Sequence, residues 1–515
     1  MASAQAALVG LAGARRFGAV LVGSHSVWRR RLKLRPCERF FWRSLPLNQR
    51  TGSEIFAALF QPQTLQANEK GIATLLESPY PLPPDSLPEQ ATEMARYSIC
   101  AGAPRVVNCQ MQIWTPKIGQ VLPLLEKMGQ CRPAESSGEP PRDLPFMGGW
   151  LGWLGYDCAW EIERLPWLKE DLLPFPVAFW YEPSEFAVLD HHTQQLWLAA
   201  ETAGRLATLA LRSEKTSLYK EKSDACSGHT RDLTFQTEQA EFEAAVRRSQ
   251  AHIKAGDVFQ VNHSLRFQAQ TTLPSWEVYK ALHVINPSPF ASYWHTPWGA
   301  VVSCSPERLV TLASGIAQSR PIAGTRSRGK TAATDRAAAS ELEGDRKEQA
   351  EHIMLVDLER NDLGRVCEWG SVQVAELMVI ERYSHVMHLV SNVVGRLRGD
   401  RTAAQLIAAL FPGGTITGCP KVRCMEIIEA IEPVRRSLFY GSCGYYDRRG
   451  RLDLNILIRT LLMSPALPID IANQADEVRT VWGQVGAGVV ADSQPEREWQ
   501  ESLQKAKAQL LALGL

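Results

Sequence analysis

Between Phe259 and Phe267 the chain alternates without a break. Phe259, Val261, His263, Leu265 and Phe267 fall on one side, and Gln260, Asn262, Ser264 and Arg266 on the other. Such period-two alternation predicts a β-strand with one apolar face on a core. The row of four polar side chains opposite either meets solvent or lines a polar cavity, and periodicity does not choose between them. Just upstream, Phe242, Ala245, Val246, Ser249 and Ile253 recur at helical spacing, with Gly256 standing where that helix would end. Further strands are predicted at 300–305, around 320–325, at 454–462 and before Gly486-Ala487-Gly488. Helices are predicted at 342–358 and 494–511. The two element types alternate with no repeat period, so the fold class is mixed α and β.

At 515 residues the chain has room for several average domains or one large interlocked one. Its net charge of +1 argues against a nucleic-acid binder. The 11 cysteines include no CxxC pair, so neither a zinc site nor a disulfide framework is indicated. Reduced thiols in a cytoplasm-like compartment are the simplest reading. No apolar run approaches the ~20 residues of a membrane span.

Residues 1–53 stand apart. Arg15, Arg16, Arg29, Arg30, Arg31, Lys33, Arg35, Arg39, Arg43 and Arg50 face a single acid, Glu38. This predicts a basic N-terminal extension outside the fold, either an upstream addition or an organelle transit segment. In the second case a plastid location follows. The polar stretch 213–237 reads as a linker and as the main domain boundary. It separates an N-terminal region, 54–212, from a second domain, 238–515.

Most of the residues suited to chemistry lie in the second domain. Phe411 to Ile427 reads FPGGTITGCPKVRCMEI, a glycine-rich loop followed by a helix start at Pro420. It either aims backbone N–H groups and Lys421 at an anion or simply caps a core helix. Glu498 and Glu501 share one helix face, an arrangement that suits a hard cation such as Mg²⁺ or a solvated acidic surface. Glu351, flanked by Ala350, Ile353 and Met354, can point inward as a third carboxylate. His388 lies in an apolar run as a core histidine or an acid–base group. Arg459 sits among Leu457, Ile458 and Leu461, where a guanidinium needs an anionic partner. Together these residues describe a Mg²⁺ site beside a cationic pocket, suited to a small substrate bearing carboxylates.

Several ordered stretches resemble the chorismate-binding enzyme family: GDVFQVN (256–262), SPERL (305–309), RPIAGT (320–325), AEHIMLVDLERNDLGRV (350–366), HLVS (388–391), FPGGTITGCPK (411–421), GAGVVADS (486–493) and EWQE (498–501). The resemblance runs from about 238 to 510. LLES and RYS extend it loosely into 54–212, which resembles the N-terminal region of anthranilate synthase component I. It implies an αββα sandwich of two interleaved lobes with the active site in a cleft between the sheets. It also implies Glu351 and Glu501 as Mg²⁺ ligands, with Glu498 direct or through water. Glu307 and His388 are implied as the acid–base residues, and Arg459 with Tyr445 as the holders of the enolpyruvyl carboxylate. Thr415 and the Gly486–Gly488 turn are implied to line the ring site. Ser78, in LLES, resembles part of a tryptophan pocket.

The branch also follows from resemblance. Isochorismate and salicylate synthases carry Lys where this chain has Gln260, so an aminating member is implied, fed ammonia by a separate glutamine amidotransferase subunit. Aminodeoxychorismate synthases usually carry Lys where this chain has Ala323, and RPIAGT is the anthranilate-type spelling. PGGTITG, GWLGYD, DLNILIRT and EWQES look closer to the aminodeoxychorismate class. The expectation is therefore aminodeoxychorismate synthase component I, with anthranilate synthase component I as the alternative.

Overall fold

A computed structural model of the chain describes residues 34, 39–61, 71–79, 94–131, 133, 135–137, 143–215, 228–383, 386–471 and 474–515. Two large, almost wholly antiparallel sheets dominate it. The first runs from Thr230–Phe235 through Gln260–Thr271, Gln474–Val489, Thr460–Met463, Gly299–Ser305 and Phe290–Thr296 to Ala73–Glu77 and other N-terminal strands. The second runs from Ile322–Ser327 through Val386–Arg396, Ile316–Arg320, Arg308–Ala313, Leu452–Asn455 and Ser442–Asp447 to Gly149–Leu154.

The sheets meet face to face. The Trp153 ring packs edge-on against Trp294 at 5.8 Å, and Tyr181 donates to Thr74 Oγ1 at 2.9 Å. Helices Gln239–Lys254, Ser275–Ile285 and Pro495–Ala512 cover the outside of the first sheet. Helices Ala332–Gly344, Arg346–Gly364 and Ala403–Leu410 cover the second. This is the αββα sandwich that the motifs implied.

The strand Gln260–Thr271 explains its own alternation. Val261, His263, Leu265 and Phe267 are buried toward the helices, where Phe242 packs on His263 and on Trp499. Gln260, Ser264 and Arg266 are buried as well, so the polar row lines an interior rather than solvent. Buried polar groups need partners: Gln260 donates to Glu351, Arg266 to Gln484, and Glu432 with Arg436 serve the middle of the row. Ser264 donates its N–H and hydroxyl to Glu432 at 2.8 and 2.7 Å. Arg436 pairs with Glu432 at 2.7 Å and donates to the carbonyls of Ile416 and Asn262. That ion pair clamps the glycine loop to the strand.

Residues 39–53 lie inside the fold, contrary to the expectation for 1–53. Arg39–Pro46 pairs with Gln195–Ala200, and Thr51 caps the helix Gly52–Leu59. Residues 1–33 and 35–38, with most of the basic cluster, lie outside the described residues. The polar stretch 213–237 is not a spatial boundary either. A helix, Ala203–Lys215, enters it and a strand, Thr230–Phe235, leaves it, while 216–227 lie outside the described residues. N-terminal strands pair directly with C-terminal ones: Ala73–Glu77 with Phe290–Thr296, and Gly149–Leu154 with Ser442–Asp447. The regions 54–212 and 238–515 are therefore interleaved, and residues 36–515 form one unit.

Two elements divide where continuity was expected. The helix expected at 342–358 is the end of one helix, Ala332–Gly344, and the start of another, Arg346–Gly364. Asp345 stands between them, its carboxylate accepting from the N–H groups of Lys347 and Glu348. The strand expected at 454–462 is two strands, one in each sheet, and Arg459 lies in the crossover with φ +49°. Among the described residues no helix is long and apolar enough to cross a membrane.

Candidate active site

The crossovers between the sheets bring the first cluster together. Glu307 sits between Gly299–Ser305 in one sheet and Arg308–Ala313 in the other, only 5% exposed. Burial pushes its carboxyl up to about 8, and the Glu359 carboxylate pushes the same way. The Thr415 hydroxyl, the Ile322 N–H and Arg459 pull it only partly back. Glu307 thus carries a proton at neutral pH, as a general acid must.

His388, on Val386–Arg396, takes the opposite form. Burial lowers its pKa to about 3, helped by the Arg459 charge, so the ring is neutral. Its Nδ1 lies 3.0 Å from Thr325 Oγ1 and 3.3 Å from the Gly324 carbonyl, which leaves proton exchange to Nε2. Arg459 donates to Asn286 Oδ1 at 2.8 Å, and its carbonyl accepts from Cys304 N. Among the described residues it forms no ion pair. An acid, a neutral base and an uncommitted cation in one cluster suit departure of a hydroxyl from an anionic substrate.

The second cluster lies where Gln260–Thr271 pairs with Gln474–Val489, Asn262 opposite Gly488 and Ser264 opposite Gly486. Backbone leaves no room for a side chain at Gly486, and at Gly488 a side chain would displace the Gln260 amide. A Cβ on Gly488 would lie 2.4 Å from Gln260 Nε2, and one on Gly486 2.5 Å from the His263 carbonyl. Gln260 donates to Glu351 Oε1 at 2.8 Å. Around this floor Gln260 Oε1, Asn262 Oδ1 and Tyr440 OH are buried without a hydrogen-bond partner. Buried polar atoms without partners are costly in a native fold, and a polar ligand would satisfy them.

The carboxylates form the third cluster. Glu351 and Glu498 are both raised, first by burial and then by the Glu501 charge, while their own hydrogen-bond partners and lysines oppose. Lys505 bonds Glu501 at 2.8 Å and the Gly486 carbonyl at 3.0 Å. Among the described residues no three such side chains converge into a ready metal shell. The donor set, hard carboxylate oxygens of which Glu501 alone is paired with a lysine among the described residues, nonetheless fits Mg²⁺.

The signature of the chorismate binding enzymes matches residues 93–511. The chain belongs to the chorismate-binding enzyme family. An anthranilate synthase component I-like protein of Synechocystis sp. is 55% identical over 510 residues, covering 98% of each chain. Aminodeoxychorismate synthase component 1 of Bacillus subtilis is 44% identical over 378 residues, 72% of this chain and 78% of that one. The crystal structure of anthranilate synthase component I from Streptococcus pneumoniae superposes with a TM-score of 0.67 at 30% identity, over 84% of this chain and 99% of that one.

As a chorismate-binding enzyme the chain assembles most of the expected residues and sets others apart. The Arg459 charge acts on both Glu307 and His388, and Thr415 adjoins Glu307. Gln260, Glu351 and Gly488 touch. Tyr445 does not join Arg459. It lines a separate cavity of about 110 Å³ with Ser78, Tyr97, Phe290, Arg308 and Asp453, its ring against Phe146. The Ser78 hydroxyl there is committed to the Tyr97 and Met94 carbonyls.

Lys421 is no anion binder either, because its ammonium bonds Asp362 at 2.5 Å and the Leu410 carbonyl. Ala323 is buried opposite Leu389, one position from His388. Three participants were missed. Lys505 was legible as the i+4 partner of Glu501, whereas Tyr440 and Glu359 carried no local signal.

Proposed function

We propose that the chain replaces the 4-hydroxyl of chorismate with ammonia, giving 4-amino-4-deoxychorismate, the precursor of p-aminobenzoate in folate synthesis. The observation that carries this reading is a protonated Glu307 and a neutral His388, each acted on by the charge of Arg459. Glu307 gives its proton to the departing hydroxyl, which leaves as water. The incoming ammonia sheds one proton, which the Glu307 carboxylate accepts directly or by way of Nε2 of His388, restoring the starting state. Arg459 takes a substrate carboxylate, and the unpartnered polar atoms around Gly486 and Gly488 hold the ring.

Glu351, Glu498 and Glu501 would hold Mg²⁺, which when bound would neutralise the ring carboxylate. The relatives are named as component I, which supports a glutamine amidotransferase as the second component and ammonia source. A tryptophan-like ligand in the cavity beside Ser78 fits the resemblance of LLES. Cytoplasmic residence accords with the reduced, scattered cysteines.

The alternative product is anthranilate, formed when ammonia enters at the 2-position and pyruvate leaves. Ala323 favours it, because no lysine stands there to attack the ring first. Product analysis separates the two. The full chain is incubated with chorismate, Mg²⁺ and ammonium, with and without an aminodeoxychorismate lyase. p-Aminobenzoate formed only with the lyase supports the proposal; anthranilate formed without it establishes the alternative.

For the metal, Glu351→Gln and Glu501→Gln are each expected to abolish turnover and to weaken Mg²⁺ binding in isothermal titration by ~10-fold or more, with the far-ultraviolet circular dichroism unchanged. Parental Mg²⁺ affinity in either variant would remove that residue from the ligand set.

A further inference from the structure

Behind the glycine loop lies a second buried acidic group that the reaction scheme does not use. Glu359, on the helix Arg346–Gly364, is 4% exposed, and its Oε2 has no hydrogen-bond partner. The same helix supplies the floor of the loop, for a Cβ on Gly414 would lie 2.3 Å from Leu358 and 3.5 Å from Glu359 Oε1. The next residue, Thr415, is the hydroxyl beside Glu307, and its carbonyl accepts from Asn262 Nδ2 at 3.1 Å. Glu359 therefore stands directly behind the segment that touches the acid.

We propose that Glu359 is a positioning residue for Glu307, acting through Gly414 on the loop that presents Thr415 and, by its charge, on the proton that Glu307 carries. This rests on the reading of Glu307 as the acid.

The surrounding groups decide the sign. Asp362, one turn along the helix, adds negative charge, and Lys421 from the following helix balances the pair through its 2.5 Å bond to Asp362. Arg365 holds the other Asp362 oxygen. Ser319 and the Gly414 N–H face Glu359 from the second sheet and the loop. Burial and Asp362 raise Glu359, while Lys421, Ser319 and Gly414 stabilise its ionised form. Lys421, Ser319 and the Gly414 N–H together let Glu359 hold a charge inside the fold. Once ionised, it opposes a second negative charge on Glu307.

The test is a direct titration. Infrared spectra of the full-length protein are recorded from neutral to alkaline pH. The Glu307 carboxyl band is identified in each background by its loss in Glu307→Gln. In Glu359→Gln its midpoint is expected to fall by ~0.5 pH unit or more, with the alkaline limb of kcat moving alongside. Glu359→Asp, which keeps the charge, is expected to restore the midpoint.

An unchanged midpoint in Glu359→Gln, or a Glu359→Asp midpoint as low as that of the Gln variant, overturns the proposal. If Glu359→Gln does not fold, Glu359→Met is read by the same criterion. A parent protein with no Glu307 band titrating in this range fails at the earlier step, the assignment of Glu307 as acid, and is distinguishable on that ground.

Discussion

Glu307→Gln is expected to lower kcat by ~10²–10⁴-fold, because the amide keeps the shape of the carboxyl and loses the proton that the departing hydroxyl needs. The pH dependence carries more information than the size of the loss. In the parent, the acid form of Glu307 is present below about 8 and disappears above it. Free ammonia grows over the same range, so the parent rate with ammonium is expected to rise and then fall. The variant, with no acid to lose, keeps only the rising limb.

Stability moves the other way. A carboxyl raised from 4.5 to about 8 makes the native state hold a proton that the unfolded chain releases. The parent therefore loses stability as pH climbs from the unfolded value through the folded one. Glu307→Gln removes that dependence and is expected to melt higher than the parent above pH ~8, where the parent must bury a charge. A variant that retained the falling limb, or melted lower at alkaline pH, would show that another group is the acid.

How far the sequence carries depends on the range of each interaction. The alternation at 259–267 located a strand because side-chain direction is set by the next few residues. It left the polar row unexplained because Glu351, Glu432 and Gln484, which bond Gln260, Ser264 and Arg266, lie far along the chain. The linker at 213–237 was a fair reading of local polarity. Strands such as Ala73–Glu77 and Phe290–Thr296, however, pair across it over some two hundred residues, and no local pattern records that.

Lys421 shows the same limit from the side of charge. After a glycine-rich loop it resembles an anion-binding lysine, yet Asp362 had already claimed it. Tyr445 was placed by motif. Its strand, paired with Leu452–Asn455 and Gly149–Leu154, delivers it to the cavity of Ser78 instead. By contrast the placement of Glu307, His388, Glu351 and Gly488 in the interior between the elements is legible, because each sits in a short motif that the fold carries as a unit.

Arg459→Met is expected to raise KM for chorismate roughly 10- to 150-fold, the weight of one charge-assisted hydrogen bond to a carboxylate. The melting temperature is expected to be no lower than the parent's. Both halves follow from one geometry. Leu457, Ile458 and Leu461 made Arg459 look like an arginine inside a strand, where an internal carboxylate would have to neutralise it. The chain instead changes sheets at this point, with Arg459 at φ +49°, and gives its guanidinium only the neutral Asn286. Burial lowers its pKa, so the fold is working against the charge it holds.

A structural ion pair loses stability when one partner is removed, because the other is left buried and alone. Among the described residues Arg459 has no charged partner to strand, and a methionine of similar length keeps the packing of its stem. The native state thus maintains a buried cation with no charged partner among the described residues, a cost that an anionic substrate would offset. If Arg459→Met instead destabilised the protein while leaving KM unchanged, the guanidinium would be a structural tie and the carboxylate-binding assignment would fall.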